Sequence, residues 1–240
     1  FKISHIASDL YDEAREEIAK LLNCEPFEVA FTSGTTESLN MIAEHYANDD
    51  RKVLITHLEH HSNSLPWIRQ GRTIQNGGLV VCKATDVGDV SMQDWEEVCT
   101  ENPGSIVAFV TQSNLTGHML KWQQMVHIAK ENDCEVILDA CQSIAHQPID
   151  TKMNNIDWIA FSGHKMFAST GVGVLFKRGG FQNMESRLGG TCLLRGCIPS
   201  KALLHVANVM SEVEELTSDW GVSYSDPAID IDKVRARKDK

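Results

Sequence analysis

The chain has 240 residues and a formal net charge of −11, an acidic balance that argues against a nucleic-acid partner. Its hydrophobic content of 42% is enough for one large core or two small ones, and no apolar run approaches the ~20 residues of a membrane span. The seven cysteines are an odd and mostly scattered set, as in a reduced cytoplasmic protein, and the opening Phe1-Lys2-Ile3 shows neither an initiator Met nor a signal peptide, so the chain reads as a fragment.

Asp12 to Leu22 reads as a helix with Ala14, Ile18, Leu21 and Leu22 on one face. Glu28 to Thr32 is a short strand. Ser33-Gly34-Thr35-Thr36-Glu37 then opens a helix that continues through Leu39, Ile42, Ala43 and Tyr46. A strand, a Gly turn and a helix start make an anion site, because backbone N–H groups and the helix dipole both point at the turn. An ordinary N-cap by Ser or Thr is the alternative. Lys52 to Thr56 is the next strand and delivers His57-Leu58-Glu59-His60-His61. Three His and a Glu invite a zinc reading, but the spacing does not fit a helical zinc site and Pro66 follows closely, so no metal is expected. Leu79 to Cys82 is a strand. Ser91 to Thr100 is a helix, with Ser91 as N-cap and Trp95 and Val98 inward. Ser105 to Thr111 is a strand that ends in Gln112-Ser113-Asn114, and Lys121 to Asn132 is a helix with Met125, Ile128 and Ala129 inward.

The next two strands carry the chemistry. Glu135 to Leu138 delivers Asp139, and Trp158 to Phe161 delivers Ser162-Gly163-His164-Lys165, followed by the apolar run Gly171 to Phe176. A lysine at the mouth of an apolar sheet is costly to bury as an ammonium, which lowers its pKa, as a Schiff-base lysine requires. Alone, Ser-Gly-His-Lys is a plain surface turn. Asp139 changes that reading, because an acid at a strand end is what holds the ring nitrogen of pyridoxal 5'-phosphate (PLP) protonated. Strands alternate with helices, so the sheet should be largely parallel, with its site at the strand carboxyl ends.

From about Ser4 to about Arg178 the chain resembles the class V aminotransferases, nearest the cysteine desulfurases and selenocysteine lyases. The resemblance is carried by Asp139-Ala140-Cys141-Gln142-Ser143, by Ser162-Gly163-His164-Lys165 and by Glu59-His60-His61-Ser62-Asn63 with Pro66-Trp67. It implies an α/β domain of the PLP-dependent fold type I, with the strand after the lysine antiparallel. It implies Lys165 as the Schiff-base residue, Asp139 as the pyridinium partner, His60 stacked on the ring and able to shuttle protons, and Gln142 on the ring hydroxyl. Thr35, Thr36, Ser162 and His164 would hold the phosphate. Asn114 sits where the family places an Asn near the ring hydroxyl and the substrate, although a polar turn residue is the alternative. Here the chain departs from the family, reading Thr116-Gly117-His118-Met119. The implied reaction removes sulfur or selenium from cysteine or selenocysteine and leaves alanine, in a homodimer acting on a small amino-acid substrate. Cys141 is not expected to carry the persulfide, since the family's carrier lies on a distant loop.

From about Leu188 the text resembles a second family, the dihydrolipoamide dehydrogenases. Gly190-Thr191-Cys192, four residues, then Cys197-Ile198-Pro199-Ser200-Lys201 is similar to their redox-disulfide motif, and an amphipathic helix from about Ser200 to Leu216 follows it. No Gly-x-Gly-x-x-Gly loop for FAD is present, which leaves Cys192 and Cys197 as a thiol pair able to oxidise. The expectation is a mosaic, with a truncated PLP-binding domain over 1–180 and a dihydrolipoamide dehydrogenase-like helical extension over 181–240. The family's small domain, its mobile loop with a catalytic Cys and its substrate-gripping Arg find no counterpart, so impaired turnover is expected. The leading reading is a PLP-dependent desulfurase-like enzyme. The alternatives are an FAD-dependent disulfide oxidoreductase fragment and a non-catalytic folded remnant.

Overall fold

The computed structural model describes residues 2–181, and side chains from residue 8 onward. In chain order the elements are α1 (Lys2–Leu22), β1 (Val29–Thr32), α2 (Thr35–His45), β2 (Val53–Thr56), α3 (His61–Arg69), β3 (Leu79–Cys82), α4 (Met92–Glu101), β4 (Ile106–Val110), α5 (Trp122–Glu131), β5 (Glu135–Asp139), β6 (Trp158–Ser162) and β7 (Gly173–Lys177). The described strands form one seven-stranded sheet in the order β1-β7-β6-β5-β4-β2-β3. Neighbours from β6 through β5, β4, β2 and β3 are parallel. β7 is antiparallel to both β6 and β1. The largely parallel sheet and the reversed strand after the lysine turn are therefore as the sequence reading expects.

The central strands are apolar on both faces, as strands covered by helices on two sides must be. β2, β4 and β6 are buried along their whole length. One core packs Trp95 and Cys99 of α4, Trp122 and Met125 of α5, and Ala19 and Leu22 of α1 against Phe109, Leu138 and Phe161. The other packs Leu39, Ile42 and Tyr46, on or just after α2, and Trp67 of α3 against Ile55, Ile137 and Trp158. The sheet thus lies between α1, α4 and α5 on one face and α2 and α3 on the other.

One local expectation is corrected, and two features were not anticipated. The buried face of α1 runs through Ala19 and Leu22 with Ile18 half-buried, whereas Ala14 and Leu21 are exposed. The spacing 15-18-19-22 packs one helical stripe, and Ala14 and Leu21 lie just off it. The segment after the His cluster is a helix despite Pro66 at its sixth position. An interior proline costs about 3 kcal/mol of helix propensity, and here the full burial of Trp67 and a cap from the His60 side chain oppose that cost. Finally, β7 reaches the turn before α2 so closely that a Cβ on Gly173 would sit 2.4 Å from the Gly34 Cα. Only glycine fits there, and this close approach brings the lysine turn and the start of α2 together.

The chain leaves β2 outward to β3, then returns past β2 to β4. Connections therefore diverge on the two sides of the gap between β2 and β4, and a crevice opens at the strand carboxyl ends of such a switch point. Among the described residues no helix is long and apolar enough to cross a membrane. The expected C-terminal helical extension, with Cys192 and Cys197, lies outside the described residues.

Candidate functional site

A cleft of about 320 Å³ lies at the carboxyl ends of the strands. All nine residues singled out for the cofactor line it: Thr35, Thr36, His60, Asn114, Asp139, Gln142, Ser162, His164 and Lys165. They come from five separate loops, and the parallel topology brings them to one end of the sheet.

One wall is the start of α2. Its N-cap is Gly34, which has no side chain to offer, so the ordinary Ser or Thr cap is not formed. The Thr35 N–H instead donates to Ser162 Oγ at 2.8 Å, and the two hydroxyls lie 2.7 Å apart. Glu37 accepts from the Ser33 N–H at 2.6 Å, which ties the turn to the first helical residues. Hydroxyls, a helix N-terminus and the imidazole of His164 are thus gathered at one end of the cleft, a donor set suited to a phosphate.

Asp139 forms the floor. Its residue is 4% exposed, and its carboxylate accepts one hydrogen bond, from the Cys141 N–H at 3.0 Å. No cation among the described residues is paired with it. Loss of water pushes its carboxyl up to about 6. A buried acid with one neutral donor is placed to accept from a further, cationic donor.

His60 and Lys165 stand at the rim, and both are exposed. The expected burial of the lysine is therefore not found. Lys165 lies on the short turn Gly163–Met166, which closes at Phe167 in the left-handed region, at φ 65°. Phe167 itself is 98% exposed. A non-glycine residue held there is strained by about 1–3 kcal/mol, and it follows the lysine by two positions. His60 caps α3. Its Nδ1 accepts from the Ser62 N–H at 3.1 Å and lies 2.7 Å from Ser62 Oγ. With Nδ1 accepting, the neutral ring carries its proton on Nε2.

The sequence reading missed Ser62, Gln112 and Val110, and gave Cys141 no place in the site, yet all four line the cleft. It also missed Glu59, which lies behind the lining. Glu59 Oε1 accepts from the Thr56 hydroxyl at 2.6 Å and from the Val110 N–H at 3.2 Å, and Oε2 accepts from Asn63 Nδ2 at 2.6 Å. Burial and the nearby Asp139 charge push this carboxyl up to about 8, against the pull of its donors. The signal was present in Glu59-His60-His61-Ser62-Asn63, but a carboxylate between two histidines reads as a ligand or a surface acid until its partners are known.

Comparison with known proteins agrees with this geometry. The family described as aminotransferase class V matches residues 1–207. A cysteine desulfurase of Synechococcus elongatus is 34% identical over 176 residues, covering 71% of this chain and 28% of that protein. A probable cysteine desulfurase of Aeropyrum pernix is 35% identical over 234 residues, covering 95% of this chain and 54% of that protein. Among solved structures, the apo cysteine desulfurase of Thermococcus onnurineus NA1 superposes with a TM-score of 0.68 at 30% identity, over 79% of this chain and 47% of that one. The cysteine desulfurase CsdA of Escherichia coli gives 0.65 at 31% identity, over 74% and 45%. The chain therefore spans about half or less of the length of these relatives. The family match runs past residue 188, where the sequence reading begins a second family, and nothing in these comparisons supports a dihydrolipoamide dehydrogenase-like segment or a mosaic.

Proposed function

We propose, from the premise that this chain belongs to the class V aminotransferase family, that its cleft binds PLP and serves a cysteine desulfurase or selenocysteine lyase reaction. The observation that carries the reading is the buried, cation-free Asp139 facing the same cleft as Lys165 and the start of α2. The bound cofactor supplies an electron-accepting ring that stabilises negative charge on the substrate's α-carbon. Asp139 keeps a proton on the ring nitrogen, since its own charge is unmet without one. Thr35, Thr36, Ser162 and His164 bind the phosphate, and the Thr35–Ser162 pair holds two of these donors in place beforehand. Gln142 and Asn114 address the ring hydroxyl. His60, which lines the cleft, would stack on the ring, and with Nδ1 taken by Ser62 its Nε2–H would be the proton it gives and takes back. Lys165 bonds the cofactor through its amine. Cysteine or selenocysteine is the substrate, alanine the product, and the protein acts as a homodimer. Within this reading residues 1–180 form the cofactor domain, and 181–240 form a C-terminal segment whose Cys192 and Cys197 are tested as a pair by counting thiols before and after reduction.

Borohydride reduction of the PLP-treated chain, followed by peptide mapping, tests the reading. One PLP adduct is expected on Lys165 and none in Lys165→Ala. An adduct that survives in that variant, or a wild-type chain that binds no PLP, overturns it. Release of alanine and sulfide from cysteine then tests the substrate.

A further inference from the structure

The gap between β2 and β4 is held shut by a side chain. The two strands pair only at Val53↔Ile106 and Leu54↔Val107. Beyond these the strands separate, and the Val110 N–H, at the cleft end of β4, faces the β2 side. On the other side of the same strand the next residue stays in the sheet, since the Thr111 N–H donates to the Asp139 carbonyl at 3.0 Å. What the Val110 N–H finds on the β2 side is Glu59 Oε1. The same carboxylate takes the Thr56 hydroxyl from the end of β2 and the Asn63 amide from the first turn of α3. Thr56 is itself fixed by the Leu58 N–H at 3.1 Å. One carboxylate thus joins the end of β2, the start of α3 and the end of β4.

We propose that Glu59 is a positioning residue: by standing in for the missing strand partner of Val110, it sets His60 over the cleft opposite Asp139. His60 is the next residue along and caps the helix that Glu59 anchors through Asn63. Val110, whose N–H Glu59 takes, lines the cleft and pairs with Asp139 across β4 and β5. The placement of His60 relative to Asp139, which line the same cleft, is therefore fixed through Glu59. Asn63 leaves its Oδ1 buried and without a partner, so the clasp tolerates the amide of Glu59→Gln: a rotated Asn63 accepts from it, while the remaining oxygen still receives Val110 and Thr56. Glu59→Ala removes all three acceptances.

The inference rests on the proposed PLP site, and its test separates the two. PLP is titrated into the wild-type chain, Glu59→Gln and Glu59→Ala, reading affinity and the visible circular dichroism of the bound ring, with far-ultraviolet dichroism as the control for folding. Glu59→Ala is expected to bind roughly tenfold or more weakly, the loss expected when buried donors lose their acceptor, and to lose most of the induced dichroism. Glu59→Gln is expected to stay within about threefold of wild type and keep the sign of the band. If wild type binds PLP and both variants match it in affinity and dichroism, the Glu59 assignment falls and the PLP reading stands. If wild type binds none, the PLP reading falls first and takes this one with it. Loss of folded structure in both variants also overturns positioning, because Glu59 would then serve the fold as a whole.

Discussion

β5 carries an acid at each end, and the two live in opposite circumstances. Glu135, at its start, accepts from the Tyr46 hydroxyl, from Arg51 Nη2 at 2.9 Å and from Trp158 Nε1 at 3.2 Å. Burial alone would raise its carboxyl, but these three donors, together with the positive charge of Arg51, outweigh it and hold the group below the usual range. Asp139, at the other end, has one neutral donor and no cation among the described residues, and burial pushes it up. Both acids are paid for in desolvation, yet only the first recovers it within the protein. The amino end of the sheet is a closed network that serves stability, and the carboxyl end, in the reading proposed above, is an open one that takes the cofactor's positive charge.

The largest effect that separates the ends is on binding. Asp139→Asn should weaken PLP roughly a hundredfold, since it removes a charge-assisted contact from a buried site, while the unfolding midpoint of the ligand-free chain at pH 7 holds or rises. A fall in that midpoint with unchanged affinity would mean that Asp139 is as structural as Glu135. The converse substitution comes next. Glu135→Ala strands the Tyr46 hydroxyl hydrogen and removes one bond of Arg51, while the Trp158 N–H keeps the Tyr46 oxygen at 2.7 Å, and a partly exposed cluster of this kind is expected to lose about 1–3 kcal/mol in denaturant unfolding, with PLP affinity unchanged in the folded fraction. Weaker PLP binding there would show that the two ends are coupled along β5.

Acidity sharpens the contrast, because the two ends carry opposite signs. A carboxyl raised in the folded state binds its proton more tightly there, so its stabilisation is full below the unfolded value and is lost as pH rises. For Asp139 that loss lies between 3.8 and about 6, and for Glu59, facing Asp139 and the donors Thr56, Asn63 and Val110, between 4.5 and about 8. Glu135 is lowered, so its contribution is present above 4.5 and is lost as pH falls. The ligand-free chain should therefore lose stability from pH 5 to pH 8. Asp139→Asn should flatten the lower part of that decline and Glu59→Gln the upper part, as read by melting temperature against pH. The smallest expected effect is at the phosphate wall. A Cβ on Gly34 would meet only Ser162 Oγ at 3.4 Å, an ordinary contact, so Gly34→Ala should change the midpoint by less than about 1 kcal/mol. Gly173→Ala, against the Gly34 backbone, should cost several times more.

The cleft residues were legible because short motifs that follow apolar strands carry the family resemblance. Thr35, His60, Asn114, Asp139 and Ser162 all sit within a few residues of a strand's carboxyl end, and in a parallel sheet those ends gather on one side. What escaped reading were residues whose role depends on a distant partner. α3 was hidden by Pro66, because its burial against the sheet through Trp67 is a tertiary effect. The inward face of α1 was misjudged at Ala14 and Leu21 for the same reason, since periodicity gives a stripe and only packing decides its edges.

By itself the sequence determined the strand runs and the helices with clear apolar stripes, because these follow from local periodicity, while the reversal after the lysine turn and the set of side chains at the strand ends were implied by the family resemblance that a few short motifs carry. Only the tertiary structure decided the strand order, and with it the gap between β2 and β4 that Glu59 closes. It alone decided that Lys165 stands exposed, that Asp139 has no cation among the described residues while Glu135 has one, and that Gly173 is pressed onto Gly34. Each of these turns on which groups from distant parts of the chain share a low-dielectric neighbourhood, and that is a property of packing, to which local spacing is blind.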